Sequence, residues 1–156
     1  MAEKLVTLFS LLATTTCISC GNAVQLPEPD EIQEMTATLE DFSTPSGLSF
    51  KPLDGKSAVT FSVPKSHRKP ILDALKPYQY DGSPAKWKVM GTLELTLKNG
   101  ESFWIGLYSL NKKPGAFSAG PSFKSRTYFR GGDSKALLAA LSAAHEASLK
   151  EQDKSK

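Results

Sequence analysis

Beyond residue 20 the chain has no cysteine, so its body cannot form a disulfide and must be held together by packing alone. Histidine is nearly as scarce, with only His67 and His145 in 156 residues. Beyond residue 20 no His, Asp or Glu pattern has the spacing of a metal site, and no G-x-S-x-G marks a serine nucleophile. Gly131-Gly132-Asp133-Ser134-Lys135 lacks the spacing of a P-loop, and Asp133 would repel a phosphate. No internal repeat occurs. After the first twenty residues no apolar run approaches the ~18 residues that a membrane-spanning helix needs. The usual signatures of a metalloenzyme, a serine hydrolase and a nucleotide-binding protein are therefore all missing.

What is present starts at the amino terminus. Lys4 is followed by the mostly apolar Leu5–Ala13 and by Thr14–Cys20, which ends Cys-Ile-Ser-Cys before Gly21. A short basic start, a short apolar run and small residues before a cleavage point read as a secretory signal. The segment also resembles the signal of bacterial lipoprotein precursors. Ser19 and Cys20 fit the last two lipobox positions, Ile18 is tolerated, and Cys17 stands where leucine is usual. The resemblance implies cleavage before Cys20 and a diacylglyceryl group on its thiol, whose two acyl chains suffice for stable attachment to a membrane surface. Cys17 and Cys20 also have the C-x-x-C spacing of a redox or zinc half-site, but processing would remove Cys17.

Cleavage there leaves 137 residues, enough for one domain. The division expected is a signal over 1–19, a tether over 20–30 with two prolines, a single domain over 31–150 and a frayed tail over 151–156. Net charge is only +3, but it is unevenly spread. Glu28 to Asp41 holds six acids and no base, whereas Lys51 to Arg130 holds fourteen Lys and Arg against five acids.

Ile32 to Phe42 is ambiguous. Ile32, Met35, Leu39 and Phe42 suit a helix, while Met35, Ala37 and Leu39 alternating with Thr36 and Thr38 suit a strand, and threonine favours the strand. Ser43 to Lys56 reads as loop. Val59, Phe61 and Val63 alternate as a half-buried strand stopped by Pro64. In Ser66 to Pro77, Pro70 suits a first helical turn and Ile71, Leu72 and Leu75 make one stripe. Lys86 to Leu97 is the clearest strand, with Trp87, Val89, Leu93, Leu95 and Leu97 on one face. Asn99-Gly100 then turns the chain into Ser102 to Leu110. A three-residue loop with a bulge at Gly100 puts Leu93, Leu95 and Leu97 on the face of Phe103, Ile105 and Leu107, so that register is preferred over a two-residue turn. A short strand can begin at Ala116 to Ala119, Phe123 to Arg130 alternates as another, and Asp133 or Ser134 can cap a helix to about Lys150.

The order β-β-α-β-β-β-α predicts an α+β domain: an antiparallel sheet of four to five strands with two helices on one face, in two layers. The pattern over 57–148 resembles small bacterial envelope lipoprotein domains of uncharacterised function: a helix ending LDALKP, the hairpin LTLKNGESFWIGL, and TYFRGGD leading into a Leu/Ala helix. That resemblance implies the same architecture and a non-catalytic role.

With the bulged register, the sheet face turned away from the helices would carry Trp104, Tyr108, Lys124, Arg126, Tyr128 and Arg130, with Lys86 and Lys88 beside them. Flat aromatics among cations suit stacking together with attraction to anions. In an exported protein this points to an anionic envelope polymer, a lipid head group or an acidic protein rather than nucleic acid. A plain solvated face would have the same composition. The acidic segment could also lie across that face and neutralise it. The expectation is thus an exported, lipid-anchored binding domain that needs no cofactor or metal. The alternatives are an envelope hydrolase using His67 or His145, and an assembly domain with Trp104 and Tyr108 at a protein interface.

Overall fold

The computed structural model describes residues 24–43, 47–52, 56–82, 87–108 and 115–154. The signal segment, Cys20 and Lys86 lie outside the described residues. The elements are β1 (Ile32–Glu40), β2 (Phe42–Ser43), β3 (Ser49–Phe50), β4 (Ala58–Ser62), α1 (Lys65–Ala74), β5 (Tyr78–Tyr80), β6 (Val89–Leu97), β7 (Ser102–Tyr108), β8 (Gly115–Gly120), β9 (Thr127–Gly131) and α2 (Ser134–Lys154). Seven strands form one antiparallel sheet in the order β4-β1-β6-β7-β8-β9-β5, and β2 pairs with β3 in a small ribbon. The fold is α+β, with a wider sheet than the four to five strands expected. Its extra width comes from β8, a complete strand, and from β5. The latter is three residues long, too short for alternation to be visible, and pairs with β9 from Tyr78↔Gly131 to Tyr80↔Phe129.

The β6–β7 hairpin has the bulged turn. Leu95 faces Phe103 and Leu93 faces Ile105. The Gly100 N–H donates to the Leu97 carbonyl at 2.9 Å, and Gly100 takes φ +86°, the left-handed value that closes a three-residue loop. Apolar pairing therefore decided the register. The odd-numbered residues Leu93, Leu95, Phe103, Ile105, Leu107, Phe117, Ala119 and Phe129 all point into one core, against Ile71 and Leu72 of α1 and Leu137 and Leu141 of α2. Both helices lie on that side.

β1 resolves the ambiguity of its own sequence. Ile32 pairs with Leu97 but Glu34 pairs with Thr96, so Gln33 is an extra residue in a β-bulge. The bulge lets Ile32 and Met35, three apart, both reach the core from one strand, which is why their spacing resembles a helix. Arg68, buried on α1, holds this irregularity. Its guanidinium donates to the Ile32 carbonyl at 2.7 Å, to Gln33 at 3.1 Å and more weakly to Val63 at 3.5 Å. Burial pushes that guanidinium below its ordinary pKa, and the nearby Glu34 acts in the opposite direction. Since β1 is an inner strand, the acidic segment does not lie across the sheet.

Three further boundaries shift, and the start of α2 does not. Leu26 is buried and its N–H donates to the Tyr78 hydroxyl at 3.3 Å, so the described part of the expected tether is docked on the domain. α2 continues to Lys154, through most of the expected tail. Pro70 lies inside α1 because that helix begins at Lys65 rather than at the proline. In the Gly131-Gly132-Asp133 turn, the Gly132 N–H donates to Pro77 O and the Asp133 N–H to Ala74 O. The Asp133 carboxylate then accepts from the Lys135 and Ala136 N–H groups at 3.0 and 3.2 Å. This is a capped helix start with its first donors already engaged.

Candidate functional site

The sheet face opposite the helices is uncovered, and its composition changes from one side to the other. On the β1–β6 side it carries Glu34, Thr36, Thr38, Thr92, Glu94 and Thr96, from alternate positions of the two strands. On the β9 side it carries Tyr128 and Arg130, with Arg126 just before the strand. Three strand spacings, about 14 Å, separate β6 from β9. The face is therefore acidic and hydroxylic at one end, cationic and aromatic at the other.

The cationic end is largely satisfied internally. Trp87 was expected on the core side, but Val89 pairs with Tyr108 while Gly91 pairs with Leu107, making Met90 a second bulged residue. Met90 is buried, and everything before it changes side. Trp87 consequently packs on the open face against Tyr108 (ring centroids 5.4 Å apart) and Tyr128 (6.0 Å). Tyr108 is only 7% exposed and its hydroxyl hydrogen-bonds Ser118 Oγ at 3.1 Å. It is a small core of its own, not a platform for a ligand. Arg130 stacks on Trp87 with its guanidinium carbon 5.4 Å from the ring centre, and its Nε donates to Asp81 at 2.8 Å. Lys124 is exposed in the bend 121–125 rather than on a strand.

The middle of the face is built by that bend. Gly120 pairs with Trp104 across β7 and β8. A Cβ on Gly120 would lie 2.0 Å from the Ser125 carbonyl oxygen, so only glycine lets the chain fold back over the end of β8. Folding back brings Phe123 edge-on to Trp104, with ring centroids 4.9 Å apart at 86°. Arg126 fastens the bend: Nη1 donates to the Phe123 carbonyl at 2.6 Å, Nε donates to the Tyr128 hydroxyl at 2.9 Å, and its guanidinium carbon lies 3.7 Å from the Phe123 ring centre. Phe123 nonetheless stays 57% exposed. Beside this pair opens a shallow pocket of about 380 Å³, reaching across to Glu34 and Glu94.

The structure thus joins Trp104, Arg126 and Tyr128 around one bend and leaves Lys124 at its rim. Phe123 and Gly120 were missed as site residues. Phe123 read as one member of an alternating strand, and the hint lay just before it in Gly120-Pro121, which interrupts the strand begun at Ala116. The two histidines sit elsewhere. His67 Nδ1 hydrogen-bonds Ser66 Oγ at 3.1 Å at the start of α1. His145 is buried on α2, its ring 4.8 Å from Phe61 and 5.9 Å from Phe50. Among the described residues no group of three or more His, Cys, Asp or Glu converges as a metal site would require, and no helix is long and apolar enough to cross a membrane. No family model matches the chain, and no curated protein or solved structure matches it.

Proposed function

We propose that this chain is a lipid-anchored cell-envelope protein, held through Cys20, whose domain is a non-catalytic binding module working through its uncovered sheet face. One observation carries the reading: both helices pack on one side of the sheet, and the other side presents the Trp104–Phe123 pair at its centre. Phe123 is exposed yet fastened by Arg126 against Trp104, so this side offers a pre-ordered pair of aromatic rings. Lys88, expected on this face, is turned to the other side by the Met90 bulge, whereas Arg130 and the exposed Lys124 give the β9 side a positive field. That field suits an anionic envelope polymer or an acidic protein surface more than discrete anion coordination, since Arg130 already has Asp81 as its partner.

Anchor and face are tested separately. Palmitate should label the full chain expressed in a bacterium, and Cys20→Ser should abolish both the label and membrane partition. An unlabelled protein that keeps its initiator methionine removes the anchor. Lys124→Ser with Arg130→Ser should abolish the salt-sensitive part of adsorption to isolated cell-wall sacculi. An unchanged salt profile removes the electrostatic role of the face.

A further inference from the structure

We infer that the pocket beside Trp104 is a saccharide subsite that accepts neutral or amino sugars and rejects uronates. The inference deepens the binding reading above by naming a ligand class for the acidic half of the face. The pocket, of about 380 Å³, suits a single ring. Its walls combine the Trp104 and Phe123 rings with the carboxylates of Glu34 and Glu94 and the hydroxyls of Thr36 and Ser102. Among the described residues none of those lining it is basic.

A saccharide ring has an apolar C–H face and a rim of O–H donors. Trp104, half-buried with one edge against Phe123, offers a rigid plane for the first. The carboxylates accept from the second, and a charged donor such as a sugar ammonium makes the stronger bond. The same two carboxylates repel the carboxylate of a uronate. Glu94 stands directly opposite Trp104 in the β6–β7 ladder and opposite Thr36 in the β1–β6 ladder. Ring plane, acceptor and hydroxyl therefore sit on neighbouring ladder positions of inner strands, not on independent loops. The pocket lies on the side of the face away from Arg130, so a polymer with spaced acidic groups could meet the cations and the pocket with different units.

The test is calorimetric titration of the full chain in detergent with three probes: the tetramers of glucosamine, N-acetylglucosamine and galacturonate. The first two should bind in a Trp104-dependent way, and the third should show no Trp104-dependent binding. Trp104→Ala should weaken both by about tenfold or more, as expected when a stacked ring loses its partner. Glu94→Gln, an exposed change that spares the fold, should weaken glucosamine tetramer more than its acetylated form. Lys150→Ser, an exposed change on α2 across the sheet from the pocket, should leave both unchanged. No binding by either amino-sugar tetramer overturns the inference, as does binding that survives Trp104→Ala. If galacturonate alone binds, and Arg130→Ser abolishes it, the subsite fails while the anionic reading of the face stands. If none of the three binds and sacculi are not adsorbed, both fail.

Discussion

Replacing Arg68 by methionine is the sharpest test of how this fold places its acidic side chains. The side chain keeps its length and apolar stem but loses every donor. Two buried carbonyls, Ile32 at 2.7 Å and Gln33 at 3.1 Å, lose a charge-assisted partner, and the weaker contact to Val63 goes with them. A buried acceptor left unsatisfied costs about 1–3 kcal/mol. Against that, methionine removes the desolvation that already depresses the guanidinium pKa. The net loss should be about 2–4 kcal/mol, a large part of the ~5–15 kcal/mol that holds a domain of this size. Denaturant unfolding followed by far-ultraviolet dichroism measures it. Arg68→Lys should lose about half as much, because a single ammonium cannot reproduce the planar fork. The consequence should also travel: without its clamp the Gln33 bulge relaxes, and Glu34 loses its place opposite Thr96 beside the pocket. An unfolding free energy for Arg68→Met within ~0.5 kcal/mol of the parent would refute the reasoning, since surface substitutions alone reach that size.

Gly132→Ala and Gly100→Ala form a contrasting pair, both at positive φ (+73° and +86°). At Gly100 no atom lies within 4 Å of the added methyl, so only the left-handed conformation is penalised, about 1–2 kcal/mol; at Gly132 the methyl would also lie 2.3 Å from the Ala74 carbonyl oxygen, and the loss on denaturant unfolding should be clearly larger. Asp133→Ala should cost about 1 kcal/mol by the same measurement, through loss of the α2 cap. Gly120→Ala should lift the bend 121–125 from β8 and separate Phe123 from Trp104. In a Trp87→Phe background, acrylamide quenching of Trp104 should rise with little change in the unfolding midpoint. The Lys69–Asp73 pair on α1 raises the lysine pKa. Any stabilisation it gives is present at neutral pH and is lost only as pH rises through that raised value, so Lys69→Met should leave the pH 5–8 stability profile unchanged in shape.

Much of the architecture was legible because hydrophobic periodicity decides it locally. The α+β class, the order of the long elements, the three-residue β6–β7 turn and the Asp133 cap all follow from apolar pairing and turn chemistry within a few residues. The short strands were not legible, since two or three residues cannot display a period, and Tyr78–Tyr80 joins the sheet only through its pairing with β9. The larger gap came from two extra residues. Alternation assigns faces by counting, so a single bulge reverses every assignment beyond it. At Gln33 the reversal made a strand resemble a helix. At Met90 it moved Trp87 from the core to the open face, and the candidate site moved as a result. With Trp87 packed on Tyr108 and Tyr128, Tyr108 is sealed beneath other rings and Arg130 is drawn onto the indole. A face expected to be one continuous basic-aromatic platform is therefore split. Its cationic half is a satisfied cluster, and the exposed ring that remains, Phe123 against Trp104, looks toward Glu34 and Glu94 rather than toward the cations. The Met90 bulge thus sets only the cationic half of the face: without it Trp87 would turn to the core side and Tyr108 would lose its cover, while Glu34 and Glu94 would keep their places on the ladders.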